Sequence, residues 1–182
     1  MRKYIALLRG INVGGNRKVS MPELKALFQE NGFCDAITYI NSGNIIFSSD
    51  IMDENTLKDK CEAFMKERFG FDIPTMIISV DDYAKALQHA PSWWDDDNES
   101  KHNVIFVLPP VTVEEVYGAV GAAKPEYEKV DSYGRAIFWS APIKTFSRTR
   151  WSKIVGSSVY DSITIRNANT AKKLLLLAKQ EG

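Results

Sequence analysis

Apolar positions in this chain fall into short continuous runs and into stripes of helical period, and the switches between the two mark out its elements. The run Tyr4-Ile5-Ala6-Leu7-Leu8 predicts a buried strand. After a polar stretch rich in glycine, Ser20-Met21-Pro22-Glu23 has the form of a capping box, in which the Ser20 hydroxyl accepts from the Glu23 N–H and the Glu23 side chain reaches back. Leu24, Leu27 and Phe28 supply the stripe of an amphipathic helix, which Asn31-Gly32 stops. Residues 36–40 and 45–47 predict two strands joined by the tight turn Asn41-Ser42-Gly43-Asn44. A second helix is expected over 54–69, with Leu57, Cys61, Phe64 and Met65 on one face and Gly70 at its end. Residues 75–78 predict a strand, and Asp81 a cap for a short helix carrying Tyr83, Ala86 and Leu87.

The order then repeats. Residues 103–108 predict a strand, and Thr112-Val113-Glu114-Glu115 another capping box, followed by the apolar face Val113, Val116, Tyr117 and Val120. Strands over 127–130 and 135–139 flank a turn at 131–134. A helical stretch is expected over 146–155, closed by Gly156, with Trp151, Ile154 and Val155 inward and the cations outward. Residues 162–165 predict the last strand, and a final helix from near Asn167 buries Leu174, Leu175 and Ala178. Each half thus reads β-α-β-β-α-β-α. The expected class is α+β: two tandem ferredoxin-like (βαββαβ) halves, with antiparallel sheets and helices on one face, related by internal duplication. The one shift in composition, Trp93-Trp94-Asp95-Asp96-Asp97-Asn98-Glu99, sets the expected domains at 1–90 and 102–182, with 91–101 as an acidic linker.

This topology points to a site. In a split β-α-β unit the first two strands run the same way, so the first crossover and the next hairpin turn share one end of the sheet. Here they are the stretch from Gly10 to Val19 and the turn from Asn41 to Asn44. Such crossovers usually run about 2–6 residues, so the loop is long for a connection. Gly14 and Gly15 let backbone N–H groups approach a ligand closely. Arg9, Gly10, Asn12, Arg17 and Lys18, with Asn41, Ser42, Gly43 and Asn44, complete a candidate site for a small anionic or polar ligand, a nucleotide or phosphorylated metabolite. The competing reading is a long structural turn with solvated cations, beside a hairpin that takes Asn, Ser and Gly in any case. Gly10 and Gly15 have P-loop spacing, but Asn16-Arg17 stand where Lys and Ser/Thr would follow, which excludes an NTPase loop. The equivalent crossover of the second half, Pro109-Pro110-Val111, has neither glycine nor cation.

A second function class is a nucleic-acid-binding module. The stretch from Lys144 to Lys153 interleaves cations with Phe146 and Trp151, which suits phosphates and a stacked base. Arg148, Arg150 and Lys153 are its anion candidates, with Arg166 and Asn167 at the last helix, where Asn167 is otherwise an ordinary cap. Against this class, 23 basic residues balance 23 acidic ones. Cys34, Cys61, His89 and His102 make no zinc spacing, and the acidic run makes no calcium loop, so no metal is expected. The sequence leaves the cofactor unknown and holds no nucleophile elbow, triad or paired carboxylates; an enzyme would have to rest on Cys34 or distant acids, and exposed loops serve a protein-interaction domain equally well. The runs 4–8 and 174–177 are too short for a signal peptide or a span, so a cytoplasmic protein without membrane partners is expected, its oligomeric state open.

Leu8-Arg9-Gly10-Ile11-Asn12-Val13-Gly14-Gly15, Tyr39-Ile40-Asn41-Ser42-Gly43-Asn44 and Thr164-Ile165-Arg166-Asn167 together resemble an uncharacterised, mostly bacterial family catalogued as a domain of unknown function, DUF1697. The resemblance covers essentially the full length. That family tends to carry a tryptophan after Arg-Asn, where this chain has Ala168. The resemblance implies two ferredoxin-like halves and supplies no activity, substrate, cofactor or catalytic residue.

Overall fold

The apolar runs pair into two four-stranded antiparallel sheets flanked by helices, in a computed structural model that describes residues 1–180. The chain divides into two compact units: Lys85–Lys172, and Met1–Ala84 together with the chain from Lys173 onward. The first sheet is built from β1 (Arg2–Leu8), β2 (Ile37–Tyr39), β3 (Asn44–Ser49) and β4 (Thr75–Ser79), in the order β2-β3-β1-β4. Its helices are α1 (Met21–Glu30) and α2 (Glu54–Phe69), and α3 (Val80–Gln88) follows β4. Tyr4, Ala6 and Leu8 of β1 pack with Leu24, Leu27 and Phe28 of α1 and with Leu57, Cys61, Phe64 and Met65 of α2. Ile5 and Leu7, on the other side of the pleat, are equally buried, which is why β1 reads as an unbroken apolar run.

Local signals set the ends of these helices. Asp53 caps α2 by accepting from the Thr56 N–H, and Gly70 closes it at φ +80°. At α1 the Ser20 hydroxyl accepts from the Glu23 N–H, but the return half of the expected box is missing. The Glu23 carboxylate lies 3.8 Å from Arg68 instead. The helix α3 starts two residues earlier than expected, so Ser79 rather than Asp81 caps it, accepting from the Asp82 N–H.

The second unit repeats the plan. Its strands are β5 (Ser100–Val107), β6 (Lys129–Tyr133), β7 (Ala136–Pro142) and β8 (Ile163–Asn167), in the order β6-β7-β5-β8. Its helix is α4 (Val113–Val120), with both halves of the Thr112/Glu115 capping box formed, and α5 (Ala168–Gln180) follows β8 and carries the chain on into the residues of the first unit. Pairing of β6 with β7 continues to Tyr133 opposite Ala136, so the turn is Gly134-Arg135 rather than 131–134. Residues 91–101 are not a free linker: they lie within the second unit and end in the start of β5. Trp94 of this segment is buried, donates from Nε1 to the Asn103 carbonyl at 2.8 Å and meets Phe138 edge-on.

The expected helix over 146–155 is also corrected. Two 3₁₀ helices, Ile143–Arg148 and Trp151–Gly156, stand in its place. The Thr149 hydroxyl donates to the Phe146 carbonyl and the Ser152 hydroxyl to the Thr149 carbonyl, so short side chains compete for the backbone. The buried Glu128 carboxylate takes the N–H groups of Arg150 and Trp151, which a continuous α-helix would have needed. Trp151 and Ile154 point inward as expected, whereas Val155 is 59% exposed. Among the described residues no helix is long and apolar enough to cross a membrane.

Candidate functional site

The end of the first sheet where β1 leaves and the β2–β3 turn closes is a built structure. The Leu8 N–H donates to the Gly43 carbonyl at 2.8 Å, which seats the turn against the start of the loop. Gly43 has φ +88°, and a Cβ there would lie 2.7 Å from Ile11 Cδ1 and 2.8 Å from Leu8 Cβ, so this position requires glycine twice over. Asn12 clasps loop and turn together. Its Nδ2 donates to the Val19 and Asn41 carbonyls, both at 2.9 Å, and its Oδ1 accepts from the Val19 N–H at 2.8 Å.

Beyond the clasp the loop forms a small hairpin. The Asn12 N–H donates to the Arg17 carbonyl and the Asn16 N–H to the Val13 carbonyl, each at 3.1 Å. Gly14 and Gly15 take φ +59° and +78° at its tip, the pair of left-handed conformations that a two-residue hairpin turn demands. Residues 13–18 are all exposed, Val13 to 68%. Seven of the twelve described residues with positive φ gather at this end: Gly10, Asn12, Gly14, Gly15, Arg17, Ile40 and Gly43.

The expected ligand groups fall into two kinds. Asn12 is committed to the clasp, and Asn44 is fully buried, donating to the Tyr39 carbonyl and to the Ser42 hydroxyl. The Arg17 guanidinium lies 4.9 Å over the Phe71 ring and donates to the Asp72 carbonyl. Arg9 is half-buried, and its N–H donates to the Pro74 carbonyl. The groups left facing solvent are the N–H groups of Gly14 and Gly15 and the ammonium of Lys18, none of which has a partner among the described residues. Exposed Gly10, Asn41 and Ser42 border them. This arrangement can hold an anion by backbone N–H groups and one flexible cation. It brings no thiol: Cys34 follows α1 and begins the return toward β2, so it stands at the opposite end of the sheet. Cys61 lies in the core, where burial pushes its thiol up to about 12.

The other candidates lie apart from this end. Phe146 is covered by the Lys101 ammonium, 4.1 Å from its ring centre, and by Trp139. Trp151 is buried, donating from Nε1 to the Gly121 carbonyl. The basic stretch therefore offers cations but not open rings for base stacking. Arg148 is exposed, near the Tyr127 ring. Arg166 is buried and donates to the Thr164 hydroxyl and the Ile165 carbonyl. Asn167 caps α5 by accepting from the Thr170 N–H.

Two polar centres carried no sequence signal. Glu128, only 3% exposed, accepts from the Lys124, Arg150 and Trp151 N–H groups and from Trp139 Nε1. His102, also buried, accepts at Nδ1 from the Asp95 N–H, which leaves the ring proton on Nε2 to donate to the Asp97 carbonyl. The Ser140 hydroxyl lies 2.6 Å from the same Nδ1. Potential ligand atoms of Asp96, Asp97 and His102 come within 4.8 Å of one another. Those of His102 and Asp97 are already spent on the turn, since Asp97 also accepts from the Glu99 and Ser100 N–H groups.

Comparison with known proteins agrees with this architecture. No match is found among curated proteins. Among solved structures, the conserved bacterial protein SP0830 from Streptococcus pneumoniae is 31% identical, with a TM-score of 0.87 over 97% of this chain and 98% of that one. The model of a protein family of unknown function matches residues 1–138, and the chain belongs to that family, DUF1697.

Proposed function

We propose that this chain is a duplicated pair of ferredoxin-like units whose first unit binds a small anionic or polar ligand, a nucleotide or phosphorylated metabolite, at its glycine-rich hairpin. The shared strand order of the two sheets supports the duplication. One observation carries the ligand reading: left-handed backbone is concentrated at one end of the first sheet, non-glycine Asn12, Arg17 and Ile40 included. At a non-glycine residue such a conformation costs about 1–3 kcal/mol and persists where surrounding structure holds it. The purpose consistent with the exposed tip is to present the Gly14 and Gly15 N–H groups beside Lys18. The two cysteines are free thiols, which suits a reducing, cytoplasmic setting.

Thermal-shift screening of the whole protein against nucleotides and sugar phosphates tests this reading. A ligand present at about 100 times its Kd stabilises the folded state by about 2.7 kcal/mol, and the melting temperature rises accordingly. The expected result is a rise for the wild type that is lost in Lys18→Ala. Silence across the panel, or a rise that Lys18→Ala retains in full, overturns the assignment.

A further inference from the structure

We infer a second anion site, independent of the hairpin, in the second unit, built by the 3₁₀ helix Trp151–Gly156 for the phosphoryl group of a small phosphate monoester. A 3₁₀ helix has three residues per turn, so positions three apart stack on one face. The Lys153 N–H donates to the Arg150 carbonyl at 3.1 Å, which is this repeat. Arg150, Lys153 and Gly156 accordingly share a face, and all three line one cleft of about 400 Å³. Ala119 and Val120 of α4, with Lys124 and Ser157, complete the lining. Among the described residues no acidic side chain lines the cleft.

Three features suit it to an anion. The cations have donors to spare: no ion pair or side-chain hydrogen bond among the described residues engages the Arg150 guanidinium or the Lys153 ammonium. The Lys124 ammonium uses one donor, on the Arg148 carbonyl at 3.1 Å. The backbone under two of the cations is fixed, because the buried Glu128 carboxylate accepts from both the Lys124 N–H (3.0 Å) and the Arg150 N–H (2.8 Å). The space over Gly156, a lining residue, is open, since a Cβ built there meets nothing within 4 Å. Three positive charges around a cleft of this size match a compact dianion, and the guanidinium fork matches two phosphoryl oxygens. A polynucleotide would instead want a groove with exposed aromatic faces, and Trp151 beside the cleft is buried.

The test is an NMR titration of the whole protein with inorganic phosphate, ribose 5-phosphate and a short single-stranded oligonucleotide, reading the Gly156 and Ser157 amides. Saturable shifts are expected with the two small probes. Affinity should fall about tenfold in Lys153→Gln, which removes one charge-assisted contact. Gly156→Leu, whose backbone needs no left-handed conformation, should keep the melting temperature and abolish the shifts. Lys18→Gln should leave them unchanged, so that this site and the hairpin stand or fall separately. Shifts that do not saturate, or that survive both Lys153→Gln and Gly156→Leu, overturn the site. An oligonucleotide that binds more tightly than ribose 5-phosphate, with steep loss on adding salt, overturns its assignment to a small ligand.

Discussion

The two units share one strand order and differ in which crossover they elaborate. In the first, the connection between β1 and α1 is a clasped hairpin, while the connection across the second half of the sheet is α2, a regular helix of 16 residues. In the second, the β5–α4 connection is short and the elaboration falls between β7 and β8, where 3₁₀ turns replace a helix. Each departure is held by one polar side chain that gathers backbone groups, Asn12 in the first unit and Glu128 in the second. The difference teaches where specialisation can enter two sheets of one strand order: at whichever connection its own polar clasp can support.

The clasps differ in depth, and the comparison breaks first at the deeper one. Glu128→Ala leaves four N–H donors without their acceptor in a buried setting. Each unsatisfied buried donor costs about 1–3 kcal/mol, and partial relaxation brings the expected loss to about 4 kcal/mol, read by urea denaturation. A loss below about 1 kcal/mol would show that water replaces the carboxylate freely, and Glu128 would no longer be the counterpart of Asn12.

Within the first unit, two glycines sharpen the contrast between clasp and tip. Gly43→Ala puts a Cβ against Ile11 and Leu8 in a left-handed conformation, whereas Gly14→Ala meets open space and bears only the conformational strain. The expected costs are about 3 kcal/mol and about 1 kcal/mol. Cys61 reads them directly, since it is buried in the core of this unit and reacts only when the unit opens. Its labelling should accelerate roughly a hundredfold in Gly43→Ala and about fivefold in Gly14→Ala, while exposed Cys34 labels at once in every variant. Equal acceleration by the two substitutions would mean that hairpin and turn form one loose element with no distinct clasp.

The same contrast explains what could be read from residues alone. The C-terminal end of α2 was legible, because Gly70 stands next to the helix it closes. The meeting of loop and turn was legible as topology, since it follows from strand direction. The devices that fix the loop were not. Arg17 finds Asp72, 55 residues away, and Asn12 finds Asn41, 29 away. The helical stripe over 146–155 misled for the same reason: its inward positions Trp151 and Ile154 suit a 3₁₀ turn as well as an α-helix, and the choice is made by Glu128 from 22 residues upstream. Residues 91–101 looked like a solvated linker because their charges dominate, yet one tryptophan and one buried histidine are enough to fold the segment onto β5.

The smallest expected effect concerns a feature in which the units agree. Each has an exposed aspartate that ties down a turn, Asp53 before α2 and Asp97 before β5. The Thr56 hydroxyl and N–H hold the Asp53 carboxyl below the ordinary value of 3.8. Desolvation pushes Asp97 up, but the Ser100 hydroxyl, the Glu99 and Ser100 N–H groups and His102 together outweigh it and hold it below 3.8 as well. A carboxyl whose folded value is depressed stabilises the fold above its unfolded value, and that contribution is lost as pH falls through the folded value. Asp53→Asn and Asp97→Asn should therefore each be slightly less stable than wild type near pH 7, with the gap closing as the pH drops through and below 3.8. Both groups face solvent, so screening keeps the effect small. A gap that stays constant across the acid range would assign the turns to shape rather than charge, and a gap that closes for only one variant would place the difference between the units at their turns as well as at their crossovers.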